Sequence, residues 1–167
     1  MNDTNSTLTS IVLKNPIHIL AFGFGSGLSP KAPGTVGTVV AVPLYVLLSY
    51  LSLPYYLLAV LIAFGVGIYL CETTSKALGV HDHGGIVWDE FVGFWMTMIV
   101  APQGWVWVVA GFIFFRIFDI LKPFPIAYFD KHIGGGFGIM IDDALAAAYA
   151  WLCLQSSFLI ALELGWV

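Results

Sequence analysis

From Val36 to Cys71 the chain carries no charged side chain, and Pro54 divides this run into two apolar stretches, 36–53 and 55–71. Each is close to the ~20 residues a helix needs to cross a bilayer. Pro54, in the turn Ser52-Leu53-Pro54, ends the first of them. Two further runs, 103–121 and 139–164, have the same character. A fifth, 88–101, is short and spans only if Asp89 and Glu90 sit at its wet end. Pro102 and Gly104 make the turn after it. Residues 16–28 are apolar but glycine-rich, which predicts a re-entrant or interfacial half-helix. Such backbone is tolerated at membrane depth only where protein buries it or it lines a wet cavity.

These runs predict an all-α, polytopic helical membrane protein with about five transmembrane helices, one domain over 1–167, and a polar tail over 1–14. Composition agrees. Hydrophobic residues make up 59% and charged residues 10%, against ~25% charged in soluble domains. Too few polar residues remain to cover a soluble surface. No secretory signal peptide is visible, and Cys71 and Cys153 suggest neither a disulfide framework nor a thiolate metal site.

Five crossings put residues 1–35, 72–88 and 122–138 on one side. That side then holds Lys14, Lys31, Lys76, Lys122 and Lys131, and Arg116 lies near it within the fourth span. No other Lys or Arg exists in the chain. The positive-inside rule makes this the cytoplasmic side. Asp3, Glu72, Asp82, Asp89, Glu90, Asp119, Asp130, Asp142 and Asp143 follow the bases, as do His18, His81, His83 and His132; only Glu163 does not. The rule does not require acids to segregate, so a site at the cytoplasmic membrane face is the natural cause.

Asp89 and Glu90 open the third span in "IVWDEFVGFWM", and Asp142 and Asp143 open the fifth in "GIMIDDALAAAYA". Acids at helix starts are favoured by the dipole alone. Two pairs, each followed at once by apolar residues, argue for function instead, because intramembrane ionisable residues are costly. Together with Asp119 they form a set of carboxylates that a cation would neutralise. Oxygen-only ligands suit a hard ion such as Mg²⁺. In "FFRIFDILKPFP", Arg116, Asp119 and Lys122 fall at i, i+3 steps. They form either a salt-bridge ladder with snorkelling ends or a clamp in which Arg116 and Lys122 hold phosphate. "GFGSGLSPKAPGTVGT" leads into a helix and offers Lys31 and Thr35 to a phosphate, or is a flexible turn; it lacks P-loop spacing. His81, Asp82 and His83 share a loop in which a histidine can serve as general acid or base or simply face solvent.

Hard-metal carboxylates beside Arg and Lys at the headgroup level point to phosphate chemistry on a lipid. The blocks "GFGSGLSPKAPGTVGT", "HDHGGIVWDE", "FRIFDILKPFP" and "GIMIDDALAA", in this order over roughly residues 15–150, resemble those of the phosphatidylglycerophosphatase A family. The resemblance implies a Mg²⁺-dependent phosphatase of the bacterial inner membrane, active at the cytoplasmic face. It would convert phosphatidylglycerophosphate to phosphatidylglycerol in phospholipid biosynthesis. One departure is visible. The Asp-Asp block usually continues to Ala-Gly, whereas Ala147 follows Ala146 here, and alanine is still small enough for close helix packing. Metal ligands are then expected at Asp89, Glu90, Asp119, Asp142 and Asp143. Catalytic roles fall to His81, Asp82, His83, Arg116 and Lys122, and phosphate contacts to Lys31, Thr35, Arg116 and Lys122. Water attack and an aspartyl-phosphate intermediate both remain open. The rivals are an ion- or proton-coupled transporter and a non-catalytic lipid-binding membrane protein. A relay across the membrane finds almost no ionisable groups on the far side. Beyond the bilayer and its lipid substrate, nothing suggests nucleic acid as a partner or fixes an oligomeric state.

Overall fold

The computed structural model describes residues 2–80 and 82–166, with side chains from Leu8 on. Its described residues form helices and connections, without strands: α1 Asn2–Lys14, α2 Pro16–Ala21, a 3₁₀ helix Gly23–Leu28, α3 Pro33–Leu48, α4 Leu53–Leu78, α5 Trp88–Thr97, α6 Trp105–Leu121, α7 Ile126–His132 and α8 Gly135–Glu163. The expected all-α class is met. Two helices, α4 and α8, are long and apolar enough to cross a membrane. Only 22% and 28% of their most apolar windows are buried inside the protein, so most of that surface faces outward, as lipid-solvated helices require. The other three expected spans are shorter: α3 has 16 residues, α6 17 and α5 10. The expected half-helix is two pieces, α2 and the 3₁₀ helix, which is bent where Phe24 and Gly25 take φ of 59° and 95°. The segment expected as a polar tail is helical from Asn2 to Lys14 and buries Val12 completely.

The long helix α8 packs against α4, α5, α6 and α7. The short helix α5 is enclosed by α3, α4, α6 and α8, and buries Asp89, Phe91, Val92, Gly93, Phe94, Trp95 and Thr97. Ten residues rise about 15 Å, half a bilayer core. The carbonyls at its far end therefore need partners inside the protein. Tyr56 of α4 donates to the Trp95 carbonyl at 2.6 Å. Trp151 of α8 donates to the Ile99 carbonyl at 2.8 Å, and Gln155 reaches both Ile99 and Val100. Side chains of the two long helices thus cap a helix that stops within the bundle.

Candidate active site

The acid end of α5 rests on glycines. A Cβ on Gly27 would overlap the Gly85 carbonyl oxygen, one on Gly37 would crowd Val87, and one on Gly34 would overlap the Glu90 carboxylate. The block 23–38 thus brings its backbone against the loop and first turn that carry Asp89 and Glu90. Its glycines make this approach, in a block that the sequence offered either as a lead-in to a phosphate or as a flexible turn. Asp89 and Glu90 do occupy the first turn of α5, and Asp89 Oδ1 accepts the Glu90 N–H at 3.0 Å.

Glu90 is held from two other helices. Thr38 Oγ1 of α3 donates to Glu90 Oε2 at 2.7 Å, and Arg116 Nη1 of α6 donates to the same oxygen at 2.5 Å. Arg116 Nη1 also pairs with Asp119 Oδ2 at 2.6 Å, one turn on. The ladder expected within α6 is therefore real for its first step but branches to α5. All three side chains are about seven-eighths buried, and the Arg116 Nε has no partner. Asp119 and Glu90, both expected as metal ligands, are engaged by Arg116.

Asp142 and Asp143 differ from expectation in place. Helix α8 starts at Gly135, so the pair sits two turns inside it rather than at its opening. The two residues are among the most buried polar ones, at 5% and 3% exposure. Lys122 Nζ, past the end of α6 where the backbone turns left-handed (φ 41°), bonds Asp142 Oδ2 at 2.5 Å and Asp130 Oδ1 at 2.9 Å. Burial alone would lower the pKa of the Lys122 ammonium. The hydrogen bonds and charges of Asp142 and Asp130 outweigh it and hold the pKa above the ordinary lysine value. The remaining oxygens, Asp142 Oδ1 and Asp143 Oδ2, are buried without a partner. Asp143 lies within electrostatic reach of Asp119, Asp89, Asp142 and Glu90, and Asp89 of Glu90, Asp142 and Asp82. The cluster thus sets six carboxylates, Asp89, Glu90, Asp119, Asp130, Asp142 and Asp143, against two cations, Arg116 and Lys122. Among the described residues no three His, Cys, Asp or Glu side chains form a ready metal shell.

The other expected residues lie further out. Lys31 is exposed and Thr35 half-buried, and neither has a hydrogen bond to the cluster. The hydroxyl that does enter is that of Thr38, three residues after Thr35 in the same block. Asp82 is exposed, and its charge reaches Asp89 and Asp142. His83 is half-buried against the Phe22 ring, and its Nδ1 accepts the Gly85 N–H at 3.0 Å. His81 lies outside the described residues. Sequence reasoning also passed over His18, which is buried and bonded through Nδ1 to Thr74 Oγ1 of α4 at 2.9 Å. No spacing rule links residues so far apart.

The sequence model of a family described as phosphatidylglycerophosphatase A matches residues 19–158, which include every described residue of the cluster. The chain is 53% identical over 135 residues to a phosphatidylglycerophosphatase A of Escherichia coli K12, covering 80% of this chain and 78% of that protein. It is 53% identical over 148 residues to a phosphatidylglycerophosphatase A of Haemophilus influenzae, covering 87% and 91%. A protein of Bacteroides thetaiotaomicron named provisionally as a phosphatidylinositol-3-phosphatase is 37% identical over 144 residues, covering 81% and 89%. No solved structure matches.

Proposed function

The chain belongs to the phosphatidylglycerophosphatase A family, and on that premise we propose that it hydrolyses phosphatidylglycerophosphate to phosphatidylglycerol and phosphate, with Mg²⁺ held at the acidic cluster. The observation that carries the reading is the pair of buried, unpartnered carboxylate oxygens, Asp142 Oδ1 and Asp143 Oδ2. Buried polar atoms are normally satisfied, and exceptions call for an unseen ion or a catalytic role. The charge balance supports the same reading. A phosphate monoester carries up to two negative charges and would be repelled by six carboxylates facing two cations. An added hard cation reverses that balance. Mg²⁺ is usually held by one or two carboxylates together with water and substrate phosphate, so a ready three-sided shell is not required. Asp142 and Asp143 are the proposed ligands, with Asp89 beside them. Glu90 and Asp119, engaged by Arg116, complete the negative field.

When bound, the ion would polarise the phosphoryl group and make a water more acidic. Arg116 and Lys122 are the cations of the cluster among the described residues, and their proposed role is to balance charge building on the phosphoryl oxygens. Hydrolysis forms a P–O bond to water, breaks the P–O bond to the glycerol oxygen, and needs a proton on the leaving alkoxide. The attacking water loses a proton as its oxygen bonds to phosphorus, and this balances the proton that the glycerol oxygen takes up. Five spans, with every Lys and Arg at one end, would put this chemistry at the cytoplasmic face of the bacterial inner membrane, in phospholipid biosynthesis. The test is phosphate release from the lipid by purified protein in detergent. Chelation should abolish it, Mg²⁺ should restore it, and Asp143→Asn should raise the Mg²⁺ required. Undiminished release in chelator would refute the metal reading.

A further inference from the structure

Helix α8 begins with glycines, and its N-cap residue, Gly134, has no side chain to offer. The first N–H groups of a helix lack intrahelical partners, and one partner here comes from another helix. Glu72 of α4 accepts the Gly136 N–H through Oε2 at 2.5 Å, while its Oε1 pairs with Lys76 at 2.7 Å, four residues on. The glycines make this contact feasible. A Cβ on Gly136 would overlap the Ile68 carbonyl oxygen and crowd the Glu72 backbone N, and one on Gly135 would lie 2.6 Å from the Glu72 carboxylate. Gly135 also has φ of 74°, a conformation that disfavours any side chain. The first turn of α8 therefore lies directly on the backbone of α4, pinned by one carboxylate.

What that pin holds is the site. Asp143 follows Gly136 by seven residues, two turns of helix, so the two share a helix face, about 10 Å apart along the axis at 1.5 Å per residue. A shift or rotation of α8 at Gly136 moves Asp143 and Asp142 with it. The packing beyond the pin is also close: Gly67 of α4 has Met140 against it, and Gly93 of α5 has the Asp143 Cβ against it. We propose that Glu72 is a positioning residue that sets the register of α8 against α4 and so places the Asp142 and Asp143 carboxylates for the cation. This rests on the reading of those two acids as its ligands.

A merely structural cap would affect folding stability alone, so the test reads both stability and site geometry. The intact protein in detergent is compared with Glu72→Ala, Glu72→Asp and Lys76→Ala. Three quantities are measured: the melting temperature, the Mg²⁺ concentration that half-saturates the Mg²⁺-induced melting shift without substrate, and phosphate release from the lipid well below melting. Glu72→Ala should lose about 10²-fold in turnover, the loss associated with an ångström of misplacement, and need several-fold more Mg²⁺. Glu72→Asp, one methylene shorter, should fold and fall between. Lys76→Ala leaves the Gly136 bond in place and should match the wild type in Mg²⁺ demand and turnover. If Glu72→Ala and Glu72→Asp melt lower but keep wild-type turnover and Mg²⁺ demand, Glu72 is a cap only and the proposal is overturned. If the wild type itself shows neither Mg²⁺-induced shift nor phosphate release, the reading of the site falls and the proposal with it.

Discussion

Gly34→Ala tests whether the glycine block serves the acid site by close approach. The added methyl would overlap the Glu90 carboxylate. That carboxylate is the end of a flexible side chain, but it is fixed by Thr38 and by Arg116. Hydrogen bonds to charged groups contribute about 1.5–3 kcal/mol each. Glu90 must swing away and weaken both, or α3 must withdraw from α5. Overpacking of this kind costs about 1–3 kcal/mol. At about 2–4 °C per kcal/mol for a chain of this size, melting should drop by roughly 2–12 °C. Turnover should fall further than stability suggests, by about 10–100-fold, because the Arg116 guanidinium loses one of its two anchors. Gly65→Ala is the control. It is also helical, on α4, and a Cβ there meets nothing within 4 Å. Replacing it should be neutral or stabilising by up to about 1 kcal/mol. The assay is thermal melting and phosphate release for both variants in one detergent. Wild-type turnover and melting in Gly34→Ala would refute the packing argument.

Two other outcomes follow from the same geometry. Arg116→Lys keeps the charge, but a lysine cannot reproduce the planar guanidinium; turnover should fall on the order of 10²-fold, and added Mg²⁺ should not repair it, as a Mg²⁺ titration of phosphate release will check. With Cys71 and Cys153 replaced, single cysteines at the exposed positions Ala77 and Gln103 should label from opposite sides of the membrane, and labelling from the same side rules out the five-span arrangement.

The helices of the apolar runs were legible because such runs, bounded by proline and glycine, have few other solutions in lipid, whereas the polar α1 and the short α7 were not. Helix ends were not. The second apolar run stops at Cys71, yet α4 continues to Leu78: the Glu72–Lys76 pair is an i, i+4 interaction on its last turns, and Gly79 closes it in the left-handed conformation. Hydropathy sees only where lipid ends, and the helix extends past that point. The start of α8 at Gly135 was hidden for another reason. Three consecutive glycines are a poor helix start by propensity, and what stabilises this one is a carboxylate 64 positions away. The α6 stripe was readable as far as Arg116 and Asp119, which are close in sequence. That Arg116 also binds Glu90, and that Lys122 leaves the stripe for Asp130 and Asp142, depends on which helices face each other.

Those cross-helix pairs also determine how stability and activity relate here. Between helices in lipid, apolar burial gives little net attraction, so close packing and polar bonds orient them. Thr38, Glu90 and Arg116 join α3, α5 and α6. Lys122 joins the end of α6 to α7 and α8, and Glu72 joins α4 to α8. Neutral contacts such as those of Tyr56 and Trp151 hold α5 at its other end, whereas the charged contacts between helices are largely contacts to the candidate site. A substitution that loosens one of these pairs should reduce melting temperature and turnover together. One on an outward face, such as Gly65→Ala, should leave turnover alone. The correlation between the two measurements across such variants is itself informative. A variant at Thr38, Glu90 or Lys122 with lowered melting and full turnover would separate scaffold from site, and would place the reacting groups elsewhere in the bundle.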